Sequence, residues 1–298
     1  MATTHTSFLQ REIEVRIVLS KGQFKDGGNT KIINGLATTV SVEKLAWPDA
    51  GKASIAIKGM SLDDMQQLST LNFRPLFHAR NYVNIYAGDS GGSLTQIFAG
   101  NITKAGADFN SAPDVVFKME AQIGFYGAIK AQGPNVINGT QDAASFIEGQ
   151  CTKAGFTFSN EDVTGQLRNC VFNGSPMHQA QAAAKQIGAE LVLDDDTATL
   201  VQKDTAKKGN TVVLSKESGL IGYPTITQSG IECKCIFNPD IRFHGMIKIE
   251  TIVPKASGTW RVIKLAHKLS ANDPKSGEWV SQITGYPRGM FTSSGYAT

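Results

Sequence analysis

The sequence predicts a mainly β protein with an α+β insertion, and three observations lead to that fold class. Apolar and polar residues alternate cleanly in the first third of the chain, beginning at residues 11–19. Two capped helical patterns follow the Gly133-Pro134 pair, and alternation then returns from Thr211 to about Tyr286. The chain has 298 residues, 41% of them hydrophobic, which fits two or three domains with cores of their own.

The first β segment opens with a strand that is apolar on one face. Ile13, Val15 and Ile17 point one way in residues 11–19, and the charged residues between them point the other. Further strands are predicted at about 32–44, 53–58, 82–87, 95–104 and 114–124. Asp89-Ser-Gly-Gly92 is a suitable tight turn, and Ser61-Leu-Asp-Asp64 resembles a capping box at the start of a short helix. We therefore expect a first domain over residues 1–133.

The insertion combines two helices with a hairpin. Residues 142–153 predict a helix that ends near Gly155, and a second helix has Ser175 as N-cap, Pro176 at its first position and Gly188 beyond its end. Small apolar residues suited to close packing on a sheet form a stripe on this second helix: Met177, Ala180, Ala183, Ala184 and Ile187. Residues 190–201 read as strand, acidic turn and strand. We expect a small α/β domain over residues 134–206.

The last β segment, residues 207–289, contains the hairpin that is most informative about assembly. Its first strand carries Trp260 and His267, and its second carries Trp279. Both tryptophans are expected to pack in a core, and His267 to make a structural hydrogen bond. Residues 290–298 are expected to form a flexible Ser/Gly tail.

The layout of this hairpin echoes an earlier part of the chain. A strand at 83–86, a Gly-rich turn, a strand at 96–104, a polar loop and a strand at 115–126 follow in order. Residues 247–250, 260–267 and 279–286 repeat that order with low identity, and the polar loop contains a proline in both copies. The pattern is compatible with an internal duplication, and also with the general likeness of antiparallel hairpins.

Charge and hydropathy exclude several classes of protein. A net charge of +3 is too weak and too evenly spread for a nucleic-acid binder, and Lys207-Lys208 is interpreted as a solvated turn. The chain lacks a secretory signal pattern and an apolar run of about 20 residues. We expect a soluble protein made in the cytosol, without membrane insertion.

The residues offer little for catalysis, metals or cofactors. Cys233-Lys-Cys235 has no second pair downstream, so the four cysteines are expected to be buried free thiols. Asp194-Asp-Asp196 is followed by a strand pattern rather than the remaining ligands of a calcium loop. The five histidines form no zinc-binding helix motif, and the sequence lacks a nucleophile elbow and a phosphate-binding loop. We therefore predict that the protein is not an enzyme and that it needs no cofactor and no metal.

The order of these parts resembles the central baseplate hub proteins of phage tails and the hub region of type VI secretion spike proteins. The residues that carry the resemblance are Gly258-Thr-Trp-Arg-Val-Ile-Lys-Leu-Ala-His267 and Gly277-Glu-Trp-Val-Ser-Gln-Ile-Thr-Gly285. The resemblance implies two tail-tube-like β-barrel domains that flank the α/β domain. It also implies a homotrimer that adapts the hexameric tail tube to the three-fold spike and lines the DNA channel.

Expected partners follow from the same resemblance. They are further copies of the chain, the tail tube or distal tail protein, the central spike protein and, as a further candidate, the tape-measure protein. DNA is expected to pass without specific binding. The expected location is the tail baseplate of the virion, after assembly in the host cytoplasm.

Two other functions stay open at the level of sequence. A carbohydrate-binding host-recognition module would need an exposed aromatic platform, for which Trp47 is the candidate. A cell-wall hydrolase would need two suitably spaced carboxylates, which a sequence cannot exclude.

Overall fold

A computed structural model describes residues 10–69, 81–228, 230–274 and 277–287. The prediction for the tail at 290–298 lies outside these ranges. In the described part, no helix is long and apolar enough to cross a membrane.

The described part of the first β segment contains seven strands, one short α-helix and a 3-10 turn at Phe109–Ser111. These elements are β1 (Arg11–Val18), β2 (Thr30–Ile33), β3 (Ala37–Lys44), β4 (Lys52–Lys58), α1 (Leu62–Leu68), β5 (Tyr82–Asp89), β6 (Thr95–Asp108) and β7 (Val116–Gln122). Ser61 caps α1 by accepting a hydrogen bond from the Asp64 amide, as predicted. The single strand expected at 32–44 is two strands, because Gly35 adopts a left-handed φ of 70° between β2 and β3.

The middle segment contains three helices and two small sheets. Its elements are α2 (Phe125–Ile129), β8 (Asn135–Asp142), α3 (Ala143–Ala154), β9 (Thr157–Asn160), β10 (Gln166–Phe172), α4 (Pro176–Gln186), β11 (Ala189–Asp194) and β12 (Thr197–Gln202). β8 and β10 form a two-stranded ribbon, and β11, β12 and β9 form a three-stranded sheet. Both predicted helices have the expected ends, with Ser175 as N-cap of α4 and Gly155 as left-handed C-cap of α3. α4 packs on α3 as well as on β11 and β10, and Met177, Ala180, Ala183 and Ala184 of its small-residue stripe are buried.

Six strands lie in the described residues of the last β segment. They are β13 (Val212–Leu214), β14 (Leu220–Thr227), β15 (Gly230–Ile236), β16 (Met246–Ile249), β17 (Gly258–Ala271) and β18 (Trp279–Pro287). β17 and β18 form the predicted hairpin, with His267 opposite Ser281 and Leu269 opposite Trp279.

One 13-stranded sheet joins the first and last β segments. Its strands follow the order β14-β15-β18-β17-β3-β4-β7-β6-β5-β1-β2, and β16 and β13 branch from β17. β17 is the joint, because its first residues pair with β16 and residues 265–271 pair antiparallel with β3. The described path runs from β14 to β2 without closing, so two closed barrels are not seen in it.

The two β segments share a strand plan that extends the echo in the sequence. β5-β6-β7 and β16-β17-β18 are both antiparallel meanders around a 14-residue central strand. Each central strand has one register shift against its last partner, between Ile102 and Lys104 in β6 and between Val262 and Lys264 in β17. The sheet order repeats as well, with β14-β15-β18-β17 followed by β3-β4-β7-β6. We call these the second and first four-strand repeats.

Buried residues form two main clusters. The larger one runs from the first β segment through the helices of the middle segment and includes Phe98, Phe117 and Trp279. The smaller one lies within the last β segment around Ile247, Leu265 and Ile283.

Candidate functional site: a buried charged junction and a polar sheet face

A cluster of charged side chains lies where the three segments meet. Lys44, the last residue of β3, places Nζ 2.7 Å from Asp194 Oδ1 and 3.0 Å from Asp195 Oδ1. Lys207 Nζ approaches the other oxygen of Asp194 at 2.8 Å, and the Ala99 amide of β6 donates a hydrogen bond to Asp195 at 3.1 Å. We call Lys44, Asp194, Asp195 and Lys207 the charged junction. It connects both β segments to the turn between β11 and β12.

A second ion-pair group supports the same contact from β17. Arg261 is buried and places Nη1 3.3 Å from Glu190 Oε2 and 3.2 Å from the Thr205 carbonyl oxygen. Its Nη2 lies 3.6 Å from Asp204 Oδ1. β17 is therefore bound to β11 and to the chain that leaves β12.

Ion pairing and burial set the charges of the junction. Burial by itself would lower the pKa of Lys44, but the charges of Asp194 and Asp195 outweigh it and raise that pKa. Burial opposes ionisation of Asp194, yet Lys44 and Lys207 hold its pKa below the ordinary value. Burial and the neighbouring charge of Asp194 raise the pKa of Asp195. Desolvation offsets most of the attraction within such buried pairs, so their net contribution to stability is small, whereas the removal of one partner leaves an uncompensated buried charge.

Two histidines lie beside this junction and stay neutral. Burial is the main reason that the pKa values of His244 and His267 are lowered to about 3. His267 Nδ1 lies 2.9 Å from Ser281 Oγ, which is the structural hydrogen bond expected for it. His244 Nδ1 has no hydrogen-bond partner within the described residues.

The two hairpin tryptophans differ in their surroundings. Trp279 is buried, meets Phe237 edge-on at 5.3 Å and lies under the Arg11 guanidinium at 5.5 Å. Trp260 is only half-buried, at the rim of the smaller cluster, and its Nε1 donates to the Ala256 carbonyl at 3.0 Å. The expectation that both pack in a core is therefore met fully by Trp279 and in part by Trp260.

Other residues singled out in the sequence have structural surroundings. Cys151, Cys233 and Cys235 are buried, and burial raises their pKa values to about 12, 12 and 11. Cys170 departs from the expectation, being half-exposed.

Trp47 is half-buried and packs edge-on against His178 at 5.2 Å, which does not give the exposed platform that a carbohydrate site needs. In the part of the chain that the structure describes, no group of three acidic, His or Cys residues is placed to hold a metal ion.

The interpretation of Lys207-Lys208 as a solvated turn is wrong for Lys207. Lys208 is exposed and pairs with Asp162, but Lys207 is mostly buried on Asp194. The acidic residues 194–196 form the turn of the predicted hairpin, but Asp194 and Asp195 pair with buried lysines and only Asp196 is exposed. One pattern in the sequence could have indicated this. Every second side chain of β3 points inward, and these include Val40, Val42 and Lys44. Lys44 therefore lies at a position where an apolar residue is expected.

The opposite side of the repeats is a continuous polar surface, which we call the polar face. It crosses β15, β18, β17, β3, β4, β7 and β6 in hydrogen-bonded order. Its charged members are Glu43, Lys52, Lys58, Lys104, Asp108, Lys118, Glu120, Glu232, Lys234, Lys264 and Lys268. The surface is concave where the second repeat meets β3, with a groove of about 620 Å³ that includes Ser41, Glu43, Lys264 and Gln282 in its lining.

Charge on the polar face is largely balanced by ion pairs across strands. Lys264 pairs with Glu43 at 2.5 Å, Lys118 with Asp108 at 2.8 Å, and Lys104 with Glu120 at 3.6 Å. Lys58 reaches Asp273 at 2.9 Å. Lys52, Lys234 and Lys268 form no ion pair with a described residue, so the face is weakly positive and has no continuous basic belt.

Solved structures with a similar fold come from phage tails and a secretion system. A 43 kDa tail protein of prophage MuSo2 from Shewanella oneidensis has a TM-score of 0.62 and 9% identity, covering 92% of this chain and 97% of that one. A tail protein from Neisseria meningitidis MC58 has a TM-score of 0.62 and 8% identity, covering 92% and 96%. An E. coli component of the type VI secretion system, described as similar to the T4 tail proteins gp27 and gp5, has a TM-score of 0.54 and 9% identity, covering 85% and 73%.

Sequence comparison gives the family. No curated protein matches the chain. The model of the family described as baseplate hub gp41 matches residues 13–276, which is most of the chain. The fold shared with tail proteins agrees with that match. The chain belongs to the baseplate hub gp41 family, whose members are components of the viral tail.

Proposed function

We propose that this chain is the structural hub of a phage tail baseplate, a homotrimer whose polar face lines the channel through which DNA leaves. Each chain contributes two quasi-equivalent tube-like units, so that three chains present six units to a hexameric tail tube. The units correspond to residues 1–133 and 207–289, with the α/β domain at 134–206 on the outside.

The polar face is the observation that carries the proposal. It extends across both four-strand repeats, and it is concave where the second repeat meets β3. The lining of a channel through which DNA moves should be hydrated and uniform, and it should not be strongly basic. Each contact with a DNA phosphate adds affinity and therefore retards passage. Mixed lysine and carboxylate pairs on one sheet face meet that requirement.

The charged junction supports the same proposal from the other side of the sheet. It holds the α/β domain against β3, β6 and the start of the last β segment by contacts that are directional and buried. An adaptor between a six-fold and a three-fold partner needs its two tube-like units fixed relative to one another. Proposed partners are the tail tube or distal tail protein, the central spike and the tape-measure protein, with assembly in the host cytoplasm.

A change of charge on the polar face tests the lining role. Ser41 and Ser54 lie opposite one another in β3 and β4, on the polar face beside Lys268. Replacing both by lysine should strengthen binding to double-stranded DNA and steepen the dependence of log K on log salt by up to about 2, since each new phosphate contact adds about 0.9. Fluorescence anisotropy of labelled duplex across a salt series measures this slope.

The matched control places the same charges elsewhere. Val136→Lys with Val171→Lys creates an opposed pair on the exposed face of the β8–β10 ribbon. We expect the control to change the slope by much less. Equal slopes for the two double variants, or tight and steeply salt-dependent binding by the unaltered protein, would count against a channel lining at the polar face.

A further inference from the structure

We propose that an apolar corner of the polar face binds an extended polypeptide segment of another tail protein, and that this segment occupies the channel until DNA passes. The apolar corner consists of Ile221 and Tyr223 in β14, Ile236 in β15 and Val280 in β18. The inference rests on the proposed hub function, because it takes the polar face as the lining of the channel. It adds a binding site and the chemistry of the occupant.

The side chains of the apolar corner are neighbours on one face of the sheet. Ile236 lies opposite Val280. Ile221 lies opposite Lys234, which is two residues before Ile236 on β15, so the two isoleucines are diagonal neighbours within reach of one another. Ile221 is 44% exposed, Ile236 54% and Tyr223 68%, and Val280 is half-buried. Large apolar side chains that are grouped on an exposed face indicate a contact site.

An irregularity of β14 presents Tyr223 to the groove of the polar face. Between its pairings with Lys234 and Glu232, β14 has three residues against one on β15, and these are Gly222, Tyr223 and Pro224. Gly222 has a left-handed φ of 70°, and Pro224 is buried. Tyr223 lies between them and lines the groove of about 620 Å³. Extra residues that redirect a side chain in this way are common at functional sites.

The two four-strand repeats can be aligned through their hydrogen-bond registers. In each central strand the residue that follows the register shift is a lysine, Lys104 in β6 and Lys264 in β17. The pairings of β7 with β4 and of β18 with β15 then make Ser54 the counterpart of Glu232. Neighbouring residues follow in the same order, because neither of these two pairings contains a register shift.

The equivalent corner of the first repeat is polar at two positions. Lys58 is the counterpart of Ile236, and Thr39 is the counterpart of Ile221. β3 pairs with β4 in a continuous register, so this repeat has no counterpart of the stretch that presents Tyr223. In a ring of three chains and six units, the apolar corner therefore occurs three times. That number fits a partner that is three-fold or present in three copies, and it does not fit the hexameric tail tube.

Two lysines beside the apolar corner indicate a carboxylate on the occupant. Lys234 lies opposite Ile221, and Lys268 lies opposite Val280. Neither lysine forms an ion pair with a described residue. An extended polypeptide can place a large apolar side chain on the corner and an acidic side chain near these lysines. The phosphates of duplex DNA can pair with the lysines, but DNA has no large apolar group with which to cover the corner.

The occupant has to leave, since the same face lines the path of DNA in the proposed function. The corner and its lysines are open to solvent, so a segment bound there is held by a few side chains and by attractions that salt screens. Such a segment can be displaced without any change in the sheet.

Photo-cross-linking in assembled particles tests the site and its occupant. One preparation carries Tyr223→p-benzoylphenylalanine, and the matched control carries Lys58→p-benzoylphenylalanine in the equivalent corner of the first repeat. We expect irradiation of DNA-filled particles to join the Tyr223 variant to a different tail protein, at a peptide with a large apolar residue near an Asp or Glu. The control should give at most a tenth of this product, and the product should fall at least tenfold after DNA release.

The same experiment has outcomes that overturn the inference. These are a product with a second copy of the chain, with residues 288–298 of the same chain or with DNA, equal yields from the two preparations, a yield that DNA release leaves unchanged, and the absence of any product.

A substitution that copies the first repeat gives a second readout. Adding Ile236→Lys to the Tyr223 cross-linking variant should lower the yield per hub chain at least tenfold, because it places in the corner the residue that the first repeat has there. Adding Ile252→Lys, at a residue that is 79% exposed on the β16–β17 loop, should leave the yield unchanged. Equal yields for these two variants would contradict the site.

Electron microscopy of the same particles separates this inference from the hub function. If the particles contain a three-fold ring with the polar face at its lumen and the cross-link is absent, the binding site is wrong while the hub function stands. If the polar face lies on the outside of the assembly, the hub function fails and the binding site with it.

Discussion

At the scale of single residues, the hairpin β17–β18 shows what a sequence pattern can and cannot predict about the burial of a side chain. Alternation correctly indicates that Trp279 and His267 point inward, because parity along a strand decides the side of the sheet. Alternation does not indicate how much of each inward-pointing side chain is covered by neighbouring residues. Trp260 lies near the start of β17 at the rim of the smaller cluster, and it is therefore only half-buried.

This difference predicts unequal costs of truncation. Trp279→Ala removes a fully packed side chain and should lower the free energy of unfolding by about 3–5 kcal/mol. Trp260→Ala should cost about half as much, because part of the ring already faces water and one hydrogen bond to Ala256 is lost. Urea denaturation of the two variants measures both values, and equal losses would show that the rim is as well packed as the core.

The buried histidines predict how stability depends on pH. The pKa of His267 is about 3 in the folded chain and about 6.5 when unfolded, so the unfolded state takes up a proton first as the pH falls. Stability contributed by the neutral ring is complete above about pH 6.5 and is lost below it, at about 2 kcal/mol between pH 7 and 5. His244 acts in the same direction.

The variant His267→Gln separates the contributions of His267 and His244 to the pH dependence of stability. It removes the titration at this position while keeping a polar group that can reach Ser281. We expect the variant to lose about half of the decline in unfolding free energy between pH 7 and 5, as measured by urea titrations at several pH values. An unchanged decline would show that His267 titrates normally in the folded chain.

At the scale of elements, helices were easier to predict than the contacts between segments. α3 and α4 are short-range structures, and their ends follow from caps and glycines at fixed positions. The charged junction depends on residues 150 positions apart in the sequence, such as Lys44 and Asp194. No local pattern specifies such a pair, although a lysine at an inward position of β3 indicates that a partner is needed.

Because the side chains of the charged junction are buried and paired, we expect the removal of any one charge to lower the free energy of unfolding. Lys44→Met leaves Asp194 and Asp195 buried with only Lys207 nearby, and we expect a loss of about 3–5 kcal/mol in unfolding free energy. Lys118→Met breaks the exposed pair with Asp108 on the same sheet and should cost at most about 1 kcal/mol. Adding Asp195→Asn to Lys44→Met should restore part of the loss, since one unpaired charge is then removed. A loss for Lys44→Met as small as that for Lys118→Met would contradict the importance of the junction.

At the scale of the whole molecule, the repeated strand order of the two meanders was the most informative pattern in the sequence. The strand order β5-β6-β7 and β16-β17-β18 could be predicted from it. The pairing of β17 with β3 could not, because it connects residues far apart in the chain and leaves no local trace. That one pairing turns two β segments into a continuous sheet with a shared polar face.

The central claim is a three-fold ring with the polar face turned to an open lumen. Single-particle electron microscopy of the full chain, assembled at high concentration or with its tail-tube protein, tests it most directly. We predict three copies around a central channel, with Lys52, Lys234 and Lys268 facing the lumen and the α/β domain at 134–206 outside. A two-fold or open assembly, or a ring with the polar face on its outer surface, would contradict the claim.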